Sequence, residues 1–253
     1  METASPRAEH WTPRVPLTAA ERRVDFPAHN AHIIQRRAAV EHAAAPAARR
    51  LAHLVAEHGL HTSQVQQELE ARLYVSLTRS VDFGYAQVQR ELRGVRPTIR
   101  AALRIPGIGD RGRTVLQGLP GIHGLVRSRA TLVASNVADE ARAAKHDAAL
   151  NPAATPVTVR LAVGDAVRKA LHNDVLQLVG EALNLGRAAG AMETPNPPEY
   201  AMRSEQLDEN TCDSCDELHG LIVQVDSAEY LDEMPPAECE GGGRCRGIYV
   251  YGD

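Results

Sequence analysis

Leu207-Asp-Glu-Asn-Thr-Cys212-Asp-Ser-Cys215-Asp-Glu-Leu-His219-Gly220-Leu-Ile-Val and, further on, Pro235-Pro236-Ala-Glu-Cys239-Glu-Gly-Gly-Gly-Arg-Cys245-Arg246 hold all four cysteines of this 253-residue chain. Cysteines used only as core residues would be scattered. Here a Cys-x-x-Cys pair is followed, after a gap of 23 residues, by a second pair with five residues between. Two close pairs separated by a hairpin-sized gap suit a tetrahedral cation, each pair bending around one edge of the ion. Cys212, Cys215, Cys239 and Cys245 are therefore the expected ligands of one structural zinc. A cage of four thiolates is closed and lacks the open position that a catalytic zinc keeps. Disulfides and reduced thiols are the competing readings. The segment from Met1 to Trp11 has early acids and no apolar run of the secretory type, and disulfides are uncommon inside cells, so metal is favoured. Gly241, Gly242 and Gly243 let the second pair turn tightly and aim N–H groups at sulfur. His219 is a reserve ligand, expected to serve in the turn or beside the thiolates.

Working outward, short runs bounded by turn residues flank the pairs: Tyr200 to Leu207, Leu221 to Val225 and Ile248 to Tyr251. They predict a small three-stranded antiparallel sheet. A sheet this small buries too little apolar surface to stand alone, and a metal cross-link at its base would compensate. Met192 to Pro198 reads as a Pro-rich linker into this module, which is placed at 193–253.

Upstream the pattern changes to helical. Ile33, Val40, Ala44, Ala47, Leu51 and Leu54 share one helix face. Pro46 is expected to kink or break that helix, and Gly59 to end it. Ser63-Gln-Val-Gln66 has capping-box spacing. It opens a second stripe, Val65, Leu69, Leu73, Leu77, Val81, Tyr85, Val88 and Leu92, roughly 45 Å long at 1.5 Å per residue. The two helices are expected to form an antiparallel hairpin. A third helix is expected from about Ile122 to Ala149, and a fourth, after the breaker Asn151 to Pro156, on Val159, Val163, Val167, Leu171, Val175, Leu178, Ala182 and Leu185. Glycines 164, 180, 186 and 190 lie in or near the fourth, each costing roughly 1 kcal/mol relative to alanine while permitting close helix contact. The predicted fold is mainly α: an elongated helical bundle or hairpins (28–192, with a Gly-rich connection near 105–124) carrying a small metal-clipped β module. Residues 1–27 read as an arm with a short helix from Thr18 to Arg23.

Composition narrows the function. The chain is only 4% aromatic, and no apolar run approaches the roughly 20 residues of a membrane span, so no membrane partner is expected. The net charge of −4 conceals a division: from Glu193 onward 15 acids face three arginines, while the first 192 residues carry 25 basic and 17 acidic side chains. Both could be solvated faces; the basic body could also contact nucleic acid. Gly107-Ile-Gly109-Asp-Arg-Gly112 has the dinucleotide-binding spelling, but Pro106 precedes it and no acid follows until Asp139, so it is read as a connection. No nucleophile elbow, Walker loop or His-Glu-x-x-His is present, and no catalytic residue is expected.

With those residues in view, the C-terminal third resembles the phage Mu protein F-like minor head proteins, also called phage head morphogenesis proteins. The resemblance rests on Glu181-Ala-Leu-Asn184-Leu-Gly186-Arg187, Leu207-Asp208-Glu-Asn-Thr211-Cys212-Asp-Ser-Cys215, Leu218-His219-Gly220, Pro235-Pro236 and Arg244-Cys245-Arg246, in that order over about 70 residues. Leu17-Thr-Ala-Ala-Glu-Arg-Arg-Val-Asp25-Phe26 is also similar to the start of some members. The chain departs at the close: where the family has His after Pro-Pro, it has Glu238-Cys239, and one Cys of the family's Cys-Arg-Cys is a glycine.

The resemblance implies a non-enzymatic minor capsid protein of a tailed bacteriophage. Such proteins lie inside the virion head at the portal vertex and act in head assembly, DNA packaging or ejection. Implied partners are the portal protein, the major capsid or scaffolding protein and, non-specifically, packaged DNA; the host cytoplasm is the expected location during assembly. Two rival classes are a zinc-ribbon nucleic-acid-binding regulator, suggested by the basic body, and a hydrolase or toxin module.

Overall fold

A computed structural model describes residues 17–58, 62–93, 118–195, 197–205, 213–225 and 247–251. The protein is mainly helical, with one small antiparallel sheet. Four long helices form the body: α1 (Phe26–His58), α2 (Ser63–Glu91), α3 (Gly118–Ala149) and α4 (Pro156–Met192). Contacts fix their directions. His29 meets Gln87 and Arg72 meets Ala43, so α1 and α2 are antiparallel. Gln66 meets Ser135 and Thr62 meets Arg142 across α2 and α3, and Glu181 meets Arg129 and Asp174 meets Asn136 across α3 and α4. Each helix is thus antiparallel to its neighbour in the chain, an up-down-up-down bundle.

The stripes read from the sequence form its core. Val40, Ala44, Ala47 and Leu51 of α1, Leu69, Leu73, Leu77, Val81 and Val88 of α2, Val126, Val133, Val137 and Ala141 of α3, and Val163, Val167, Val175 and Ala182 of α4 are buried together. Alanine supplies much of α3's contribution, so axes approach closely. Helices α2 and α4 cross closely enough to exclude a Cβ at three glycines. A Cβ added to Gly84 would overlap the Leu183 carbonyl, one at Gly186 the Val81 backbone, and one at Gly190 the Tyr85 backbone and Val88 side chain. Gly164 and Gly180, read from sequence as equivalent, meet nothing within 4 Å.

Three expectations about the helices need correction. Pro46 neither breaks nor ends α1, which runs through it. Its ring is on the exposed side, and Arg72 donates to the nearby Ala43 carbonyl at 3.2 Å. The Ser63–Gln66 capping box does not form. Thr62 occupies the cap position, and Gln66 spends its amide on Ser135 at 2.8 Å instead. A reciprocal box exists at α4, where Thr155 and Thr158 bond each other's backbone N–H and Pro156 follows at the first helical position. Finally, α3 begins at Gly118, inside the stretch read as a Gly-rich connection. The remainder of that stretch, with Gly107 to Gly112, lies outside the described residues.

The sheet is β1 (Tyr200–Ser204), β2 (Ile222–Gln224) and β3 (Ile248–Tyr251), in the order β2-β1-β3. A six-residue helix, α5 (Asp213–Leu218), lies between β1 and β2. Ala201 pairs with Val223 on one side and Tyr251 on the other; Met202 pairs with Ile222 and Val250. Alternation along the strands gives two faces. Ala201, Val223, Val225, Tyr249 and Tyr251 join the helical core. Ile248, Val250 and Met202 face the other way, into a second cluster with Leu17, Ala20, Val24 and Phe26. Residues 17–26 therefore lie across the sheet's outer face. A 3-10 turn (Glu21–Arg23) takes the place of the short helix expected from Thr18 to Arg23.

Candidate metal centre

Of the four cysteines, only Cys215 lies among the described residues, near the end of the sheet where β1 stops. Cys215 sits on α5 and is 4% exposed. Cys212, Cys239 and Cys245 lie outside the described residues. Among the described residues no group of three or more His, Cys, Asp or Glu side chains is arranged to hold a metal. Of the four expected ligands, the structure thus places one.

The surroundings of Cys215 are described more fully. Beyond α5 the chain must reverse onto β1, and Gly220 does this with φ of +83°, a conformation that side chains rarely adopt. Its N–H donates to the Arg203 carbonyl at 2.9 Å, and the Arg203 N–H donates to Leu221. His219, just before it, accepts the Glu205 N–H at Nδ1 (3.3 Å). A neutral imidazole accepting at Nδ1 carries its proton on Nε2, and that nitrogen is then a donor rather than a metal ligand. Glu205 is buried and takes an Arg203 Nε bond at 2.8 Å, both side chains being fully covered. Gly247 completes the arrangement: a Cβ there would collide with the Glu205 carboxylate. His219 and Gly247 therefore flank Glu205, so the start of β3 returns beside the turn that follows α5.

A second carboxylate is buried close by. Glu21 accepts the Thr18 N–H (2.8 Å) and hydroxyl (2.9 Å) at one oxygen and the Ser204 hydroxyl (2.7 Å) at the other. Burial alone would raise its pKa, but the Thr18 N–H and the Ser204 and Thr18 hydroxyls outweigh that and hold it below the usual range.

What joins this module to the bundle is a set of side chains on the outer edge of β3. Strand pairing directs Met202 and Ser204 toward β3, leaving the carbonyls of Gly247, Tyr249 and Tyr251 pointing outward. Each meets a donor. Asn184 Nδ2 donates to Gly247 at 3.1 Å, Arg187 to Tyr249 at 3.0 and 3.3 Å, and Arg23 to Tyr251 at 3.0 Å. Arg187 is fully buried and also forks onto Glu91, at 2.9 and 2.7 Å. Asn184 and Arg187, one helical turn apart on α4, thus carry the sheet edge on one face.

The chain matches no family model, no curated protein and no solved structure.

Sequence reasoning picked out Asn184, Gly186, Arg187, His219 and Gly220 from a motif pattern, and each has a definite structural duty. It missed Glu91, Glu21 and Gly84. Glu91 ends a polar turn, and nothing local distinguishes it from other helix-terminal acids. Thr18-Ala-Ala-Glu21 does carry a local signal, because its spacing is that of a capping box.

Proposed function

We propose that this protein is a minor head protein of a tailed bacteriophage, associated with the portal vertex inside the head and acting in head assembly, DNA packaging or ejection. The observation that carries the reading is the placement of the motif residues. Asn184 and Arg187 hold the β3 carbonyls, Gly186 lies at the helix crossing, and Gly220 makes the left-handed turn. A series of short matches that each do a structural job is what a part used for assembly would keep, and none of them presents reactive chemistry. The portal protein and the major capsid or scaffolding protein are the partners, with packaged DNA as a non-specific contact for the basic body. Mass spectrometry of purified virions and procapsids from a producing strain tests this. Low-copy detection supports the role, and absence from both refutes it.

The structural zinc belongs to the same proposal, held by Cys212, Cys215, Cys239 and Cys245. The described residues fit it in two ways. Cys215 is buried, and Cys245 is two residues from Gly247, a tether of about 7 Å at most. His219, with Nδ1 already accepting a hydrogen bond, is left to orient the turn. Bound zinc would supply cross-linking and no reaction chemistry.

The charge division keeps one alternative: a regulator that binds nucleic acid through the basic body. A regulator would prefer a defined duplex over random sequence, whereas a head protein would bind both alike and release both with salt.

A further inference from the structure

The two edges of the sheet are treated differently. The β3 edge is closed by Asn184, Arg187 and Arg23 as described above. At the β2 edge, hydrogen bonds join Arg203 to Leu221 and Val225 to Glu199, so residues 221, 223 and 225 direct their backbone groups at β1. The N–H and C=O groups of Ile222 and Gln224 point the other way. Among the described residues nothing pairs with them.

Apolar surface accompanies that open edge. Ile222 is 65% exposed, Leu221 42% and Tyr200 40%. Ile222, Gln224 and Tyr200 share the face that residues 17–26 cover only over β3 and Met202. An apolar edge that lacks a partner strand is a template for an added strand, and proteins that do not use one blunt it by shortness, lysine, proline or a bulge. β2 is short, three residues, but carries neither lysine nor proline and pairs with β1 in unbroken register.

Charge selects the occupant. Glu199, whose carbonyl accepts the Val225 N–H, flanks one end of β2, and α5, which leads into the other end through residues 219–221, carries the acids Asp213 and Glu217; all three are exposed. A second copy pairing β2 to β2 would bring two such acidic borders together. An extended basic segment would be drawn in. We propose that the β2 edge receives an extended, cationic segment of a partner protein as a fourth strand, with an apolar side chain of that segment against Ile222. This edge is independent of the virion role: a failed virion test leaves it standing, and a failed peptide test leaves the virion role standing.

The test titrates the full chain with a peptide of about ten residues alternating valine and lysine, and with its valine–glutamate counterpart. The lysine peptide is expected to bind, to weaken with added salt, and to slow amide exchange at Ile222 and Gln224. Gln224→Pro removes an outward N–H while sparing the β1 ladder, so it should weaken binding roughly tenfold or more with the thermal midpoint held. Ile222→Lys, at an exposed position, should do the same and serves if the proline variant does not fold. The inference is overturned if the lysine peptide does not bind, if the glutamate peptide binds as well, or if folded Gln224→Pro and Ile222→Lys both bind like the unsubstituted chain. A dimer in the peptide-free protein that Gln224→Pro dissolves would also overturn it, by assigning the edge to a second copy.

Discussion

Arg187 reaches three things at once: the Glu91 carboxylate, the Tyr249 carbonyl and, at 5.9 Å, the ring of Tyr251. Removing it would strand a nearly buried carboxylate and an edge carbonyl together. Arg187→Ala should therefore cost about 3–5 kcal/mol, read as a lowered urea midpoint, and Arg187→Lys should recover only part because an ammonium cannot fork. His32 makes a pH prediction at the same scale. Burial, with some help from Arg36, pushes its pKa down to about 4, and the ring stacks on Phe83 and meets Ser80. Since the folded pKa lies below the usual 6.5, the folded state prefers the neutral ring. Its contribution is complete above about pH 6.5 and is lost as pH falls toward 4, on the order of 2 kcal/mol after allowance for solvent. Asp174 and Glu181 are shifted upward by burial and work in the opposite sense as acid is added. Comparing melts at pH 7 and 4 for the unsubstituted chain and His32→Gln isolates the histidine. The variant should lose less.

Helix existence and strand existence were both legible, because periods of 3.6 and 2 survive in an alanine-rich chain whenever valine and leucine mark the inner face. The stripe from Val65 to Leu92 is realised in α2, and the runs at 200, 222 and 248 are realised in the sheet. What local pattern could not convey is which neighbour a residue will meet. Gln66 had a capping partner available in sequence and took Ser135, 69 residues away. Four glycines in α4 looked alike, yet only two of them touch α2. Gly186→Ala should force the helices apart and cost about 3 kcal/mol or more, while Gly180→Ala should stabilise by about 1 kcal/mol; paired urea titrations check both. Pro46 belongs to this scale too. Helix α1 tolerates it because the disturbed turn is at the surface, so Pro46→Ala should raise the melting temperature, by roughly 1–3 kcal/mol in stability. For the candidate metal centre, the sequence supplied only an expected ligand set, of which Cys215 alone is described, whereas the return of Gly247 beside Glu205 and His219 needed coordinates.

At the scale of the molecule, zinc and charge make the remaining prediction. Protein purified without chelator should carry near one zinc per chain, falling when Cys212 and Cys215 are both replaced by serine. Metal removal should loosen the sheet, as a loss of strand signal, before it melts the bundle, because the bundle core is built from α1 to α4 alone apart from five sheet residues. No helix among the described residues is long and apolar enough to cross a membrane.

The segment from Leu17 to Phe26 lies against the last strand, with Arg23 bonded to Tyr251 across 228 positions of chain. During synthesis the helices can find one another as they emerge, but this closing contact must wait until residue 251 has left the ribosome. Until then Phe26, Val24 and Ala20 have no surface to cover. A nascent chain stalled anywhere before β3 would display them as a sticky, protease-accessible leader.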